Sequence, residues 1–123
     1  MATLNDRVFD NGLTVLDTEA NRVDICSSEP ATYAAATSTL TLGNETSISI
    51  SAPANASPNG RKVTLSAITG ASVTGTGTAT HYAITDTVNS RLLATGDLSA
   101  SQAVTSGNTF SLTASDIRIP DPA

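Results

Sequence analysis

A chain of 123 residues with a formal net charge of −5 has room for one domain and one sizeable core. Only 14% of it is charged and 3% aromatic, with no Trp, so buried area must come from Val, Ile, Leu and Ala. The six basic residues, Arg7, Arg22, Arg61, Lys62, Arg91 and Arg118, are scattered and form no stripe for phosphates, which argues against nucleic-acid binding. A lone cysteine, Cys26, excludes an internal disulfide and a cysteine-based metal site. No apolar run approaches the ~18 residues of a membrane-spanning helix.

The N-terminal stretch lacks a basic and apolar leader pattern, so the expectation is a chain made and kept in the cytoplasm. Residues 3–20 carry Leu4, Val8, Phe9, Leu13 and Leu16 near the spacing of one helix face. They predict an N-terminal helical segment or arm, weakened or split at Asn11-Gly12. Arg22 to Ser27 reads as a strand, with Val23 and Ile25 on one face and Asp24 and Cys26 on the other. Glu29-Pro30 ends it, and Thr32 to Ala36 suits a single helical turn.

Thr39 to Leu42 is a short strand, Gly43-Asn44 a turn, and Ser47 to Ser51 a further strand aligning Ile48 and Ile50. Residues 52–60, APANASPNG, form the clearest loop, closed by the Asn59-Gly60 turn signal. Arg61 to Ile68 alternates as one strand, Ser72 to Thr74 follows, and Gly75-Thr76-Gly77 marks a bend or bulge. The stretch 76–98 predicts the central hairpin. In its first arm Ala79, His81 and Ala83 oppose Thr80, Tyr82 and Ile84, and residues 85–89 turn the chain. The second arm runs from Arg91 to Ala94 and stops at Gly96-Asp97. Ala103-Val104, Thr109 to Thr113 and Asp116 to Ile119 add short strands, and Pro120 halts further pairing.

About seven short strands with turn signals every ~8–12 residues predict a mostly β chain, an antiparallel sandwich or barrel spanning 1–123, with the 1–20 segment covering an end.

Reactive chemistry is sparse. His81 is the only histidine and, in a strand between Thr80 and Tyr82, reads as a hydrogen-bonded structural residue. Cys26, with Asp24 and Glu29 nearby, reads as a small buried hydrophobe rather than a reactive thiol. No G-x-S-x-G elbow and no calcium loop occur. The expectation is a non-enzyme with no catalytic, cofactor or metal residues.

LNDRVFDNGLTVLDTEANRVDICSSEPATYAAAT at the start, then SPNGRKVTLSAIT, then GTATHYAITDTVNSRLLATGDLSASQAVTSGNTFSLTA and the terminal IPDPA span nearly the whole chain. This pattern resembles small virion structural proteins of tailed phages that infect alphaproteobacteria. The resemblance implies a capsid decoration (cement) protein on the outer surface of the head, with the major capsid protein as partner and a homo-oligomer, a trimer for instance, as its form. Tail, spike and fibre modules that bind a host receptor or glycan share the same Thr/Ser/Gly-rich β style. Contacts to a shell could come from the N-terminal arm, the 52–60 loop, an edge strand or the IPDPA tail. The first choice falls on Leu4, Val8 and Phe9 in the arm and on Pro53, Asn55, Pro58 and Asn59 in the loop.

Overall fold

The computed structural model describes residues 11–46, 48–56 and 60–119, and the backbone of residues 3–4. These residues form the expected mostly β, antiparallel fold. A curled seven-stranded sheet, in the order β1-β8-β7-β2-β3-β6-β9, packs on a three-stranded sheet in the order β10-β5-β4. In chain order the strands are β1 (Thr3–Leu4), β2 (Arg22–Cys26), β3 (Thr41–Glu45), β4 (Ala54–Asn55) and β5 (Arg61–Leu65). They continue with β6 (Ile68–Val73), β7 (Gly77–Asp86), β8 (Arg91–Val104), β9 (Thr109–Leu112) and β10 (Ser115–Ile119). One helix, α1 (Thr14–Glu19), and a π-helical turn (Ala35–Thr39) complete the described elements.

The large sheet is organised by rows of side chains running across the strands. One row runs Gly96, Tyr82, Ile25, Gly43, Val73 from β8 through β7, β2 and β3 to β6. The next runs Ala94, Ile84, Val23, Glu45. Residues two apart on a strand share a face, so these rows define one side of the sheet. The apolar members of both rows join one core with Val63 and Leu65 of β5, Ile117 of β10, and Leu13, Val15 and Leu16 around α1. The opposite side holds a smaller cluster of Cys26, Ala36 and Ala83, packed with Leu40 and Leu92 under the π-helical turn. From Val23 to Cys26, β2 is therefore buried on both faces.

Aromatic side chains are scarce, and two of them rest against glycine. A methyl group on Gly96 would lie 2.5 Å from the Tyr82 ring, and one on Gly43 would lie 2.9 Å from the Phe110 ring. Each ring fills the space a neighbouring side chain would take, which extends the core where the rows contain no Cβ. A second device is a bulge in the hairpin. Ile84 faces Ala94 but Thr85 faces Leu92, so Leu93 has no partner opposite. Both Leu93 and Ala94 then reach the main core, which strict alternation forbids.

Several expectations are corrected. The start of the helical segment expected over 3–20 is a strand, since Thr3–Leu4 pairs with Thr95 and Ala94 of β8; the expected break at Asn11-Gly12 is present, with Gly12 at a left-handed φ of 71°, and a helix follows it over Thr14–Glu19. The Val8 and Phe9 part of that helical spacing lies outside the described residues. Gly43-Asn44 does not turn the chain but lies inside β3, because its glycine is needed under Phe110. The strand expected at 47–51 reduces, over its described residues, to one bridge between Ile50 and Leu65. Within the 52–60 loop, Ala54–Asn55 forms β4 on the edge of the small sheet.

The single strand expected over 61–68 is two strands, β5 and β6, in different sheets, with a corner at Ser66-Ala67. The second hairpin arm does not stop at Gly96-Asp97. It continues to Val104, because Gly96 faces Tyr82 and the later residues re-pair with Gly77 to Ala79. Between these two paired stretches, Leu98 to Ser101 on β8 stand against Thr80 alone on β7, which bends the hairpin.

The Gly43 contact is testable. Its added methyl group would also lie 2.6 Å from the Ser72 carbonyl oxygen, so the backbones of β3 and β6 would have to part. Gly43→Ala is expected to lower stability by about 1–3 kcal/mol. Gly75→Ala, where the nearest atom is 3.5 Å away, should stay within about 0.5 kcal/mol of the parent. Urea unfolding of both variants measures the difference, and equal midpoints would refute the close packing at Gly43.

Candidate functional site: contact surfaces of the scaffold

The polar groups inside the fold are tied into structure. Asp24 is fully buried, and its charge is met on its own strand. Arg22 Nε and Nη2 donate to its two carboxylate oxygens at 2.7 and 2.8 Å, and Thr41 Oγ1 donates at 2.6 Å. A two-pronged guanidinium contact plus a hydroxyl is what a carboxylate needs to tolerate burial. Cys26 lies two residues on, fully buried, its Sγ 3.7 Å from the Ala36 carbonyl. Burial first, and the nearby Asp24 charge second, push its thiol up to about 12. The sequence reading of Cys26 as a buried hydrophobe agrees with this setting. A thiol reagent should therefore leave the native protein unlabelled over minutes and label it stoichiometrically in denaturant. Rapid native labelling followed by mass spectrometry would contradict this placement.

His81 ties strands together. Its Nε2 lies 2.8 Å from Asp97 Oδ1, its cross-strand neighbour, and its Nδ1 lies 2.8 Å from Thr80 Oγ1. Thr80 Oγ1 donates in turn to the Ser27 carbonyl at 2.9 Å. Among the described residues, no group of three or more His, Cys, Asp or Glu side chains is arranged to hold a metal ion. Every buried side-chain nitrogen and oxygen among them has a hydrogen-bond partner.

Among the clefts on the surface of the described residues are two of similar size. One, of about 520 Å³, lies where the two sheets diverge, with Leu65, Ile68, Leu98 and Leu112 among its apolar walls and Tyr82 and Gln102 among its polar groups. Burial, with the Asp97 charge second, raises the Tyr82 phenol above its ordinary value, so it is a neutral hydroxyl there. The other, of about 530 Å³, lies between residues 29–33 and the start of β8.

The residues expected to contact a partner are spread out. Leu4 belongs to β1 on the edge of the large sheet. Pro53 and Asn55 sit together on the edge of the small sheet, where Arg61 Nη2 donates to the Pro53 carbonyl at 3.3 Å and Arg61 Nη1 to Asn55 Oδ1 at 2.7 Å. Val8, Phe9, Pro58 and Asn59 lie outside the described residues. Sequence reasoning passed over two features of the hairpin. Ser99 to Ala103 on β8 is a run of exposed, uncharged residues. Among the described residues, only Thr95 and Ala94 on the outer side of β8 are paired, with β1. Val88, at the tip, is 81% exposed and is the one large apolar side chain so placed among the described residues. An apolar residue amid the polar run 85–90 was the available signal.

The tip is held by Asp86. Its Oδ1 accepts from the Val88 N–H at 2.9 Å and the Asn89 N–H at 3.3 Å, and its Oδ2 from Asn89 Nδ2 at 2.9 Å. Burial opposes the charge, but the Asn89 side chain, the two backbone N–H groups and the Arg91 charge together hold this carboxyl below the ordinary carboxylate range. A lowered folded pKa means stability that is fully present above the unfolded value of ~3.9 and lost as pH falls through the folded one. Asp86→Asn keeps an acceptor oxygen but removes the charge. The parent's stability advantage over Asp86→Asn should therefore be constant above about pH 5 and shrink below about pH 4. Denaturant titrations at several pH values measure it, and a difference independent of pH would refute the assignment.

No protein-family model, no curated protein and no solved structure matches this chain.

Proposed function

We propose that this chain is a non-enzymatic structural protein of a tailed-phage virion, a decoration protein that binds the major capsid protein on the outer head surface and stabilises the shell. The resemblance of nearly the whole sequence to small virion proteins motivates the reading. The observation that carries it furthest is the exposed run Ser99 to Ala103 along β8. A strand that presents backbone N–H and C=O groups beside short, uncharged side chains suits docking against another protein. The backbone supplies hydrogen bonds, and the side chains lose little entropy when ordered. Many copies on one lattice turn a modest single contact into a large total stabilisation. Self-association, as a trimer for example, would add further contacts of the same kind.

The test is the molar ratio of this chain to the major capsid protein in purified particles, by quantitative mass spectrometry. A ratio near one, or a simple fraction of it with hundreds of copies, is expected. A few copies per particle would overturn the decoration reading and favour a tail, spike or fibre module that binds a host receptor or glycan.

A further inference from the structure

We infer that the cleft where the two sheets diverge is a binding site for a small uncharged amphipathic molecule, an apolar chain or ring whose hydroxyl or carbonyl oxygen meets the hydroxyl of Tyr82. The inference goes beyond the decoration reading and does not depend on it.

The cleft is a product of the corner in the chain. β5 ends at Leu65 in the small sheet, and β6 begins at Ile68 in the large one. Leu65, Ile68 and Leu112 of β9, all buried residues, form the apolar floor. Half-buried Leu98 of β8 closes the cleft from near the opposite edge of the large sheet. The space of about 520 Å³ is of the size that holds a small organic molecule.

Tyr82 supplies the polar anchor. It is only 9% exposed. Its hydroxyl has no hydrogen-bond partner among the described residues, whereas every fully enclosed side-chain nitrogen and oxygen among them has one. The hydroxyl therefore opens into the cleft that Tyr82 lines. Set in apolar surroundings and unused by the fold, it keeps its donor and acceptor capacity for a ligand. The ring is also fixed in place. A methyl group on Gly96 would lie 2.5 Å from Cζ and from the hydroxyl oxygen, so the β8 backbone packs against the outer end of the ring. An anchor aimed before the ligand arrives has little left to order on binding.

Charge decides the class of ligand. None of the residues that line the cleft is basic, and the one carboxylate, Asp97, faces His81 Nε2 at 2.8 Å. An anion would lose its water and meet no cation. A cation would find only Asp97, whose side chain is 57% exposed, and a contact so open to solvent gains little. Burial keeps the Tyr82 phenol protonated, so it donates to an acceptor oxygen. An uncharged molecule satisfies all of these, with its apolar body on the leucine and isoleucine side chains and its oxygen on Tyr82. Gln102, at the exposed rim, offers an amide to a second polar group.

The experiment titrates isotope-labelled protein with hexanol, hexanoate and hexylammonium and follows the backbone amide signals by NMR. Hexanol should bind saturably, with a Kd on the order of 1 mM. Its shifts should centre on Tyr82, Leu98 and Leu112. Hexanoate and hexylammonium should each bind at least about tenfold more weakly. Tyr82→Phe keeps the ring and should weaken hexanol binding about three- to tenfold. Its urea midpoint should match the parent's, because the hydroxyl holds nothing in the fold. The site is overturned by a lack of saturable hexanol binding, by shifts centred on the 29–33 cleft, or by a charged probe that binds as tightly as hexanol. Unchanged hexanol affinity in Tyr82→Phe overturns it as well. So does a lowered urea midpoint for that variant, which would mean that the hydroxyl is spent on the fold.

Discussion

The pairing of β7 with β8, carried across β2, is the constraint on which the rest of the structure depends. It sets Tyr82 and Ile84 in line with Ile25 and Val23, and so decides which face of five neighbouring strands becomes core. A shift of one residue anywhere in that ladder would turn Asp24 and His81 toward the main core and Val23 and Ile84 away from it. The register is held by groups that make sense in one alignment only: a Tyr82 ring over Gly96, His81 beside Asp97, and Leu93 lifted out at a bulge.

That constraint has a consequence for β2. Flanked by β7 and β3, with the large core below and the π-helical turn above, it has no solvent face for its polar residue. Asp24 is consequently buried, and Arg22 and Thr41 supply the donors that make its burial tolerable. Removing one member of such a group is more damaging than its net contribution suggests, because the remaining charge stays buried without its partner. The neighbouring Cys26 is inert for a related reason. The low-polarity layer that encloses Ala36 and Ala83 disfavours a thiolate.

The surface follows a different logic from the interior. Some polar side chains close hydrogen bonds within the fold, as Lys62 and Thr64 do with Asp116 across β5 and β10. What is left outward over Ser99 to Ala103 of β8 is uncharged, and at the hairpin tip a single branched apolar side chain stands above a locked turn. A scaffold of this kind gains little from any one contact. Repetition on an ordered lattice is the setting in which small, preorganised contacts add up, and the proposed role supplies that setting.

Local pattern was enough for much of this protein. The alternation in 79–84 marks a strand, Val23 and Ile25 mark the core face of β2, the polar run after Ile84 marks a turn, and an apolar neighbourhood marks Cys26 as buried. Alternation reports which way side chains point along one strand, and it reports nothing about what lies beside that strand. Gly43 and Gly96 look like turns in isolation because glycine tolerates turns. Their role in the structure is to leave room for rings contributed by Phe110 and Tyr82, residues 67 and 14 positions away in the chain. The division of 61–68 between two sheets and the pairing of Thr3–Leu4 with β8 are decisions of the same non-local kind. The expected contact residues are apolar side chains of the N-terminal arm, Leu4, Val8 and Phe9, and prolines and asparagines of the 52–60 loop. Val88 stands in the sequence as an apolar residue in a polar turn, and its exposure follows from its place in the 87–90 turn between β7 and β8. The sequence by itself determined that 22–26 and 79–84 are strands and that Val23 and Ile25 face the core, because side-chain period is local. The tertiary structure alone decided which strands are neighbours, where glycine makes room and what remains outside, because those depend on contacts between distant parts of the chain.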